Sequence, residues 1–286
     1  MMKNGILIRT MRDSDLGAAM RLKQAAGWNQ TYADWKRFLW LTPAGSYVAA
    51  SEGRVVGTVT TCVFQRVAWI GMMLVDPAHR RRGIATRLMQ HALRELDSAG
   101  CSSVSLDATE MGAGLYRRLG FREQEDIARL GGRPRGSSWR NSSMQPRAFR
   151  WEDWPSLLAV DQLGAGTSRA RLLKRLLVER PESARVLCRN GRLVGFVLER
   201  PGSQAWFIGP LVALSREAGG VLMAESLGRS RGGPVVLDIP ASNEDSLEAA
   251  HDAGLTIQRR FLRMVRGEPY VVPRPELWAS SGPEKG

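Results

Sequence analysis

The chain has 286 residues, of which 43% are apolar and 24% are charged, and its formal net charge is +13 at pH 7. This composition excludes a disordered chain, and the length favours two domains. The arginines are dispersed without a long basic tail, so a basic protein surface is a better interpretation than a nucleic-acid footprint.

Residue types that would point to disulfides, metals or membranes are sparse. The three cysteines lie far apart, in or beside apolar runs, which predicts buried free thiols in a reducing cytoplasm. The three histidines have no metal-ligand spacing, so no metal site is expected. No apolar run approaches transmembrane length, and the N-terminal residues lack the apolar core of a signal peptide.

The first half of the chain alternates strands with helices. This alternation predicts an α/β fold, in the α+β sense, with a mixed sheet. Apolar periodicity, caps and glycine stops place its elements. They are a strand at Ile6–Ile8, a helix from Asp13 to about Ala26, a helix through Trp35–Leu39, strands at Tyr47–Ala50, Val55–Phe64 and Val67–Val75, a helix from about Ile84 to Ala99, a strand at Val104–Ala108, a short helix at Gly112–Leu119, and a final strand or strand pair at Phe121–Leu130.

One stretch, Ile70–Leu93, carries the clearest chemical signal. It reads as an apolar strand, a turn, a loop with three consecutive arginines, and an amphipathic helix. The first turn of a helix leaves backbone N–H groups without partners, and the helix dipole favours negative charge there. Because Gly83 and Ala85 have little or no side chain, a ligand can approach the backbone closely. The stretch therefore predicts a site for a phosphate-bearing ligand.

The second half of the chain repeats the first. Short motifs recur 138 positions later (9 to 147, for example), and after the arginine loop the spacing falls to 134 (88 to 222), so the second half is shorter at that loop. The matched pairs are Arg9 and Arg147, Arg12 and Arg150, Asp15 and Asp153, Gly53 and Gly191, Gly71 and Gly209, Leu88 and Leu222, and Gly120 and Gly254.

Comparing the halves separates scaffold from chemistry. Features present in both, such as Asp107 and its counterpart Asp238, are predicted to be structural. Features present only in the first are candidates for chemistry: the arginine loop, and Tyr116, which falls opposite Ala250. In the second half, only Ala218–Gly220 is a candidate for a substitute loop.

These residues resemble the GNAT superfamily of N-acetyltransferases. The acyl-CoA loop of that family reads Arg/Gln-x-x-Gly-x-Gly/Ala, and the stretch Arg80–Ala85 (R-R-R-G-I-A) satisfies it. The stretch Leu115–Phe121 (L-Y-R-R-L-G-F) is similar to the family's closing motif, in which a tyrosine precedes a Gly-Phe turn. The strand before the loop and the helix after it match as well.

Further motifs, including W-N-Q-T from Trp28 and G-P-L-V-A from Gly209, resemble bacterial proteins with two fused GNAT-like domains. The resemblance implies two tandem domains, each a central mixed, mostly antiparallel sheet flanked by helices. It also implies a cytoplasmic location and an acceptor site lined by both domains. We expect a catalytic acetyl-CoA-binding domain at 1–130, a linker at 131–144, a divergent domain without the cofactor loop at 145–267, and a Pro-rich tail at 268–286.

The resemblance also implies roles for residues near the acyl donor, acetyl-CoA. Tyr116 is the candidate general acid for the leaving thiolate, and a backbone N–H of the Met72–Val75 strand is the candidate oxyanion donor. Thr109 stands where many family members have Asn, and its hydroxyl can hydrogen-bond the donor. The predicted donor-binding residues are Met73, Leu74, Val75, Arg80, Arg81, Arg82, Gly83, Ile84, Ala85, Thr86 and Thr109.

The acceptor side is less well specified. Trp28, Asn29 and Gln30 line it if the family layout holds, since a Trp face can hold a cationic amine, but packing of the indole under the helix pair is an equal alternative. The Met72–Val75 strand has no carboxylate to act as base. Glu110 and a bound water are the alternatives left open.

The expected function is acetyl transfer from acetyl-CoA to a primary amine of a small molecule or peptide, directly within a ternary complex. The alternative is a non-catalytic acyl-CoA-binding or regulatory module. No membrane partner is expected, since the basic amphipathic stretch Arg171–Arg180 fits a core-facing helix better than a membrane-surface helix. Nucleic acid is disfavoured, and the acceptor and the oligomeric state are left open.

Overall fold

A computed structural model describes residues 5–230, 232–269 and 275–286, apart from the side chains of residues 140 and 141. The predicted alternation of the first half is confirmed, with small shifts at element ends and a single last strand where a strand pair was the alternative. Its elements are β1 (Ile6–Thr10), α1 (Leu16–Ala25), α2 (Tyr32–Leu41), β2 (Ser46–Ser51), β3 (Arg54–Phe64), β4 (Val67–Val75), α3 (Ile84–Ser98), β5 (Ser103–Ala108), α4 (Glu110–Arg118) and β6 (Arg122–Gly132).

The second half has the same elements in the same order, which confirms the repeat. One further strand, β13 (Leu277–Ala279), follows the twelfth and has no counterpart in the first half. The elements of the second half are β7 (Arg147–Ala148), α5 (Trp154–Ala165), α6 (Ala170–Glu179), β8 (Arg185–Arg189), β9 (Arg192–Arg200), β10 (Trp206–Ala213), α7 (Arg216–Arg229), β11 (Val235–Pro240), α8 (Glu244–Asp252) and β12 (Thr256–Gly267).

A repeated ion pair fixes the start of each half. Arg9 donates to both carboxylate oxygens of Asp15, at 2.7 and 2.8 Å, and Arg147 does the same to Asp153, at 2.7 and 2.6 Å. In each half the carboxylate also accepts a backbone N–H three residues earlier, at 2.8 Å. The predicted structural role of this repeated aspartate is therefore confirmed.

The two halves share one sheet. Among the described residues its strand order is β1-β2-β3-β4-β5-β12-β6-β11-β10-β9-β8-β7, with β13 paired to β10. The last strand of each half crosses over, because β12 pairs with β5 and β6 pairs with β11, and the two crossed strands pair with each other. Each half thus completes the sheet of the other, and residue 130, the predicted domain boundary, lies within β6.

Buried ion pairs lock the exchanged strands. Arg263 of β12 donates to Asp107 of β5 at 2.8 and 3.0 Å, and Arg129 of β6 donates to Asp238 of β11 at 2.7 and 2.8 Å. Both aspartate side chains are fully buried. This geometry confirms that the repeated aspartates Asp107 and Asp238 are structural.

Helices cover the sheet with their apolar faces. The predicted core-facing helix is confirmed, since α6 buries Leu172, Leu173, Leu176 and Leu177, which share one face at helical spacing. Within the described ranges, none of the helices combines the length and apolarity that crossing a bilayer requires.

The cysteines are free thiols, as predicted, but only Cys62 is fully buried. Cys101 and Cys188 are half-buried, so the prediction of buried thiols is wrong for them. Apolar neighbours in sequence failed as an indicator because both residues lie close to element ends, where side chains are only partly covered.

The final segment, 275–286, is buried from Leu277 onwards, apart from the half-buried Pro283. Part of the predicted tail, 270–274, lies outside the described residues, but β13 joins the sheet, and Ser280, Ser281, Glu284 and Lys285 are each at most 2% exposed. Two buried arginines hold the segment. Arg200 donates to the Ser281 carbonyl at 2.6 Å, and Arg169 donates to the Ser281 hydroxyl at 2.9 Å. The segment is therefore an integral part of the fold.

Candidate functional site

The strands β4 and β5 pair only where they begin. Their parallel ladder joins Val67–Trp69 to Ser103–Ser105. Beyond it, a bulge shifts the register of β4 against β3, and Met72 adopts a left-handed backbone with φ of +50°. The Thr58 hydroxyl donates to the Met72 carbonyl at 2.7 Å and supports this kink. Beyond Trp69 and Ser105 the two strands no longer pair with each other, and a gap lies between them.

The arginine loop connects β4 to α3. Gly83 is the N-cap of α3 with φ of +74°, and a Cβ built there would meet nothing within 4 Å. The side chains of Arg80, Arg81 and Arg82 are exposed, Ala85 and Thr86 are half-buried, and Ile84 anchors the helix in the core. The first helical turn leaves N–H groups without intrahelical partners. The loop thus combines open space, free donors and positive charge, as an anion site requires.

A cleft opens at the gap between β4 and β5. The exchanged strands contribute Arg129, Arg259 and Phe261, so both halves of the chain form its walls. The predicted residues that line it are Trp28, Gln30, Met73, Thr109 and Tyr116, and the others are Ile70, Gly71, Met72, Leu106, Asp107, Pro283 and Glu284.

Tyr116 projects from α4 into this cleft. Its ring meets Phe121 edge-on, with centroids 6.0 Å apart, and packs so closely on Gly112 that a Cβ there would lie 2.9 Å from the ring. Burial raises the pKa of Tyr116 to about 12, so its hydroxyl is protonated at neutral pH and can donate a proton. Its counterpart Ala250 is buried in α8.

The predicted acceptor residues fall into two groups. Gln30, which is 8% exposed, and the half-buried Trp28 line the cleft. Asn29 does not; its side chain donates to the Ala205 carbonyl at 2.9 Å and accepts the N–H groups of Gln204 and Ala205 at 2.9 and 3.0 Å. The structure therefore brings two of the three to the cleft, and Asn29 joins the first half to the β9–β10 turn.

The corresponding gap of the second half is filled by the chain itself. The strands β10 and β11 also pair only where they begin, at Trp206 and Phe207, and β13 runs antiparallel to β10 beyond that point. Asn243, the N-cap residue of α8, donates to the carbonyls of Pro275 and Leu277, both at 3.0 Å. A gap of this type thus accommodates an extended amide chain.

The candidate substitute loop of the second half is not a loop. Ala218–Gly220 lies inside α7, which begins at Arg216. A Cβ at Gly219 would lie 2.0 Å from the Trp278 ring, and one at Gly220 would lie 2.3 Å from the Trp139 ring. These glycines admit tryptophan side chains rather than a phosphate, so the suggestion of a loop was wrong.

Thr109 occupies the position of Asn243 in the first half. It is the N-cap residue of α4, and its side chain makes no capping hydrogen bond to the helix. The side chain lines the cleft instead. The Thr109 hydroxyl therefore lies where the amide of Asn243 holds an extended chain in the second half.

Sequence reasoning missed the cleft residues Arg129, Arg259, Phe261 and Glu284. The first three belong to exchanged strands, and the fourth belongs to a segment that looked like a tail. One signal was available, because Gly71 and Gly209 occupy the same place in both halves. In the structure, both of them lie against the final segment. Among the described residues, no cluster of His, Cys, Asp or Glu can hold a metal ion.

Comparison with known proteins places the chain in a family. Two family models match in sequence: the acetyltransferase (GNAT) family over residues 18–121 and an acetyltransferase (GNAT) domain over residues 157–278. A relative in Bacillus subtilis, the uncharacterized N-acetyltransferase YitH, is 23% identical over 235 residues, which cover 82% of each chain.

Two solved structures share the fold over 92% or more of this chain. The crystal structure of a protein from Pyrococcus horikoshii, described there as an acetyltransferase, superposes with a TM-score of 0.84 at 23% identity. The match covers 100% of this chain and 98% of that chain. A tandem GNAT protein from the clavulanic acid biosynthesis pathway has a TM-score of 0.65 at 15% identity, and the match covers 92% of this chain and 99% of that chain. With a GNAT match in each half, the chain belongs to the GNAT family of acetyltransferases and carries two GNAT domains in tandem.

Proposed function

We propose that the chain transfers an acetyl group from acetyl-CoA to a primary amine of a small molecule or peptide, directly within a ternary complex. One observation carries this proposal: the gap beside the β4 bulge opens into a cleft that also holds Tyr116. A donor laid along β4 would bring its thioester to a protonated phenol. Cytoplasmic action, as the free thiols suggest, is part of the proposal.

Residues of the first half alone would hold the donor. The N–H groups of Arg81–Thr86 and the exposed guanidinium groups would bind its pyrophosphate. The segment Met73–Val75 faces the gap that β5 leaves open, and Thr109 borders it. The fit is supported by the second half, in which the equivalent gap takes an extended amide chain.

Tyr116 would act as the general acid. It would donate its proton to the sulfur as the carbon–sulfur bond breaks, while a backbone N–H of Met72–Val75 would stabilise the developing oxyanion. The raised pKa of Tyr116 suits this role because the phenol keeps its proton until a thiolate forms. The kink at Met72 supports the oxyanion assignment, since it turns the strand at the mouth of the cleft.

The acceptor would approach from the side lined by Trp28 and Gln30. Arg129 and Arg259 also border the cleft there. Arg129 is paired with Asp238, whereas Arg259 is exposed. An exposed guanidinium group at the entrance favours an acceptor that carries a negative group in addition to its amine.

The first test is Tyr116→Phe with a panel of primary amines. We expect turnover to fall by about 10²-fold or more, the usual contribution of a positioned acid, while the affinity for acetyl-CoA changes little. Calorimetric titration should give one acetyl-CoA per chain, because β13 fills the second gap. Tight acetyl-CoA binding with no turnover on any amine would favour a non-catalytic binding module, and two sites per chain would refute the asymmetric assignment.

A further inference from the structure

The space beside Gly71 of β4 is taken by Glu284. A Cβ at Gly71 would lie 2.3 Å from the Glu284 Cβ and 2.7 Å from its Cα, so only glycine permits this contact. Gly71 directly precedes the kinked residue Met72. The final segment therefore places a carboxylate side chain against the part of β4 where the strand itself has none.

Glu284 shares the cleft with Tyr116 and the predicted acceptor residues. It is 2% exposed, and the Gln30 Nε2 lies 3.4 Å from its Oε2. Within the described part of the chain, the Gln30 Oε1 is buried and has no hydrogen-bond partner. The Glu284 carboxylate and the unpartnered Gln30 oxygen thus belong to neighbouring side chains of the cleft, and an ammonium group has three N–H donors to offer them.

The other carboxylates near the cleft are less suitable. Both oxygens of Asp107 accept hydrogen bonds from Arg263. Glu125 is bound to the same guanidinium group at 3.0 Å, and Glu110 is exposed on α4. Glu284 is the one that combines burial, a place in the cleft and an oxygen next to Gln30.

The final segment holds Glu284 in place. Lys285 is fully buried, donates to the Glu284 Oε1, and lies with its Nζ 4.8 Å from the centre of the Phe38 ring. Arg200 and Arg169 fix the backbone and side chain of Ser281. Lys285 thus holds one carboxylate oxygen, and the other faces Gln30 of the cleft.

We propose that Glu284 is the general base that takes the proton from the acceptor amine; this rests on the proposed function. The Glu284 carboxylate removes one proton from the ammonium group, and the neutral nitrogen attacks the acetyl carbon of acetyl-CoA. As the N–C bond forms and the C–S bond breaks, Tyr116 gives its proton to sulfur. The second nitrogen proton then restores Tyr116 through water, and Glu284 releases its proton to solvent.

The test is Glu284→Gln, which keeps the shape and removes the base. With an alkyl amine at neutral pH we expect kcat to fall by about 10²–10³-fold, while the affinity for acetyl-CoA is unchanged. The aminooxy analogue of the same acceptor is already neutral at this pH and does not need the first deprotonation. For this acceptor the loss of kcat in the variant should therefore be at least tenfold smaller. Glu276→Gln, on the same segment, is the control and should keep full activity.

A second variant separates the base from the stability of the segment. Replacing both members of the buried pair, Glu284→Gln with Lys285→Met, avoids an unpaired ammonium group and should show the same difference between the two acceptors. Equal losses for the alkyl amine and its aminooxy analogue would overturn the proposal. So would an increase in turnover, which would identify the segment as a plug.

A third readout does not depend on the acceptor. Thiol release from acetyl-CoA without an amine requires a base for water, so Glu284→Gln should also reduce this slow hydrolysis. If the wild-type protein turns over no amine, the proposed function fails. The rate of acetyl-CoA hydrolysis in the wild type and the variant still tests whether Glu284 acts as a base. Hydrolysis that is equal in the wild type and the variant, or no faster than in solution, would overturn the base assignment.

Discussion

Removal of the Arg263 guanidinium group should destabilise the exchanged strands more than removal of the cation from any surface ion pair. The side chain is 1% exposed and donates to Asp107 twice and to Glu125 once, at 2.8 to 3.0 Å. Its Cζ also lies 4.7 Å from the centre of the Trp69 ring. Arg263→Met keeps a comparable apolar stem but leaves two carboxylates without their cation.

The expected cost is about 3–5 kcal/mol of unfolding free energy, the usual effect of removing one partner of a buried pair. The matched control is Arg266→Met on the same strand. Arg266 pairs with Asp97 at 2.7 Å, but these side chains are 33% and 48% exposed, so the control should cost about 0–1 kcal/mol.

The loss of unfolding free energy in Arg263→Met should depend on pH in a defined direction. Burial raises the pKa of Asp107 and of Glu125, and Arg263 opposes this effect. Without Arg263 the folded state holds protons that the unfolded state releases, so the stability of the variant falls as pH rises through the raised pKa values. The deficit against wild type should therefore be smaller under acidic conditions than at neutral pH.

Urea unfolding followed by tryptophan fluorescence measures both effects. The shared sheet predicts one cooperative transition for both halves. If Arg263→Met costs no more than Arg266→Met, or if its deficit is the same at all pH values, the buried pair does not stabilise the exchange as argued.

Three further predictions concern other parts of the chain. Burial raises the pKa of Glu199 to about 7, despite Arg229 at 3.0 Å, so the wild-type urea midpoint should fall as pH rises towards 7, and Glu199→Gln should flatten this slope. Trp278→Ala should cost about 3–5 kcal/mol yet leave one acetyl-CoA per chain by titration, because α7 still has no donor loop. Arg259→Ala should reduce kcat/KM about tenfold or more for acceptors with a carboxylate or phosphate, and much less for neutral amines.

The repeat and the order of elements were readable from the sequence, but the strand exchange was not. Short apolar runs in β6 and β12 mark these segments as partly buried, whereas the choice of neighbouring strand depends on contacts distant in the chain. Local traces of the exchange are Arg129 and Arg263, but each strand contains other arginines as well, and the sequence does not indicate which of them is paired or with which carboxylate. The final segment was misread because S-S-G-P-E-K-G has no apolar residue, and its burial depends on arginine donors far away in sequence.

The residues of the candidate site also fall into those that the sequence could place and those that it could not. The arginine loop and Tyr116 are local motifs, so their positions followed from residues a few places apart. Asn29 belongs to the same short motif as Gln30, yet its amide bonds to the β9–β10 turn, a partner that no spacing rule indicates. Glu284 could not be placed because it lies far from Tyr116 in the chain and reaches the cleft only through β13.

The two equivalent glycines show why the unused gap of the second half matters to the first. A Cβ at Gly209 would lie 2.1 Å from the Ser280 carbonyl oxygen, just as one at Gly71 would meet Glu284. Both glycines therefore make room for the same segment, first where it leaves β13 and then where it enters the cleft. Because β13 fills the second gap, the residues that follow it are directed into the first. In the second half the gap is occupied by the strand that delivers Glu284, so the occupied gap of one domain and the proposed base of the other are consequences of a single segment.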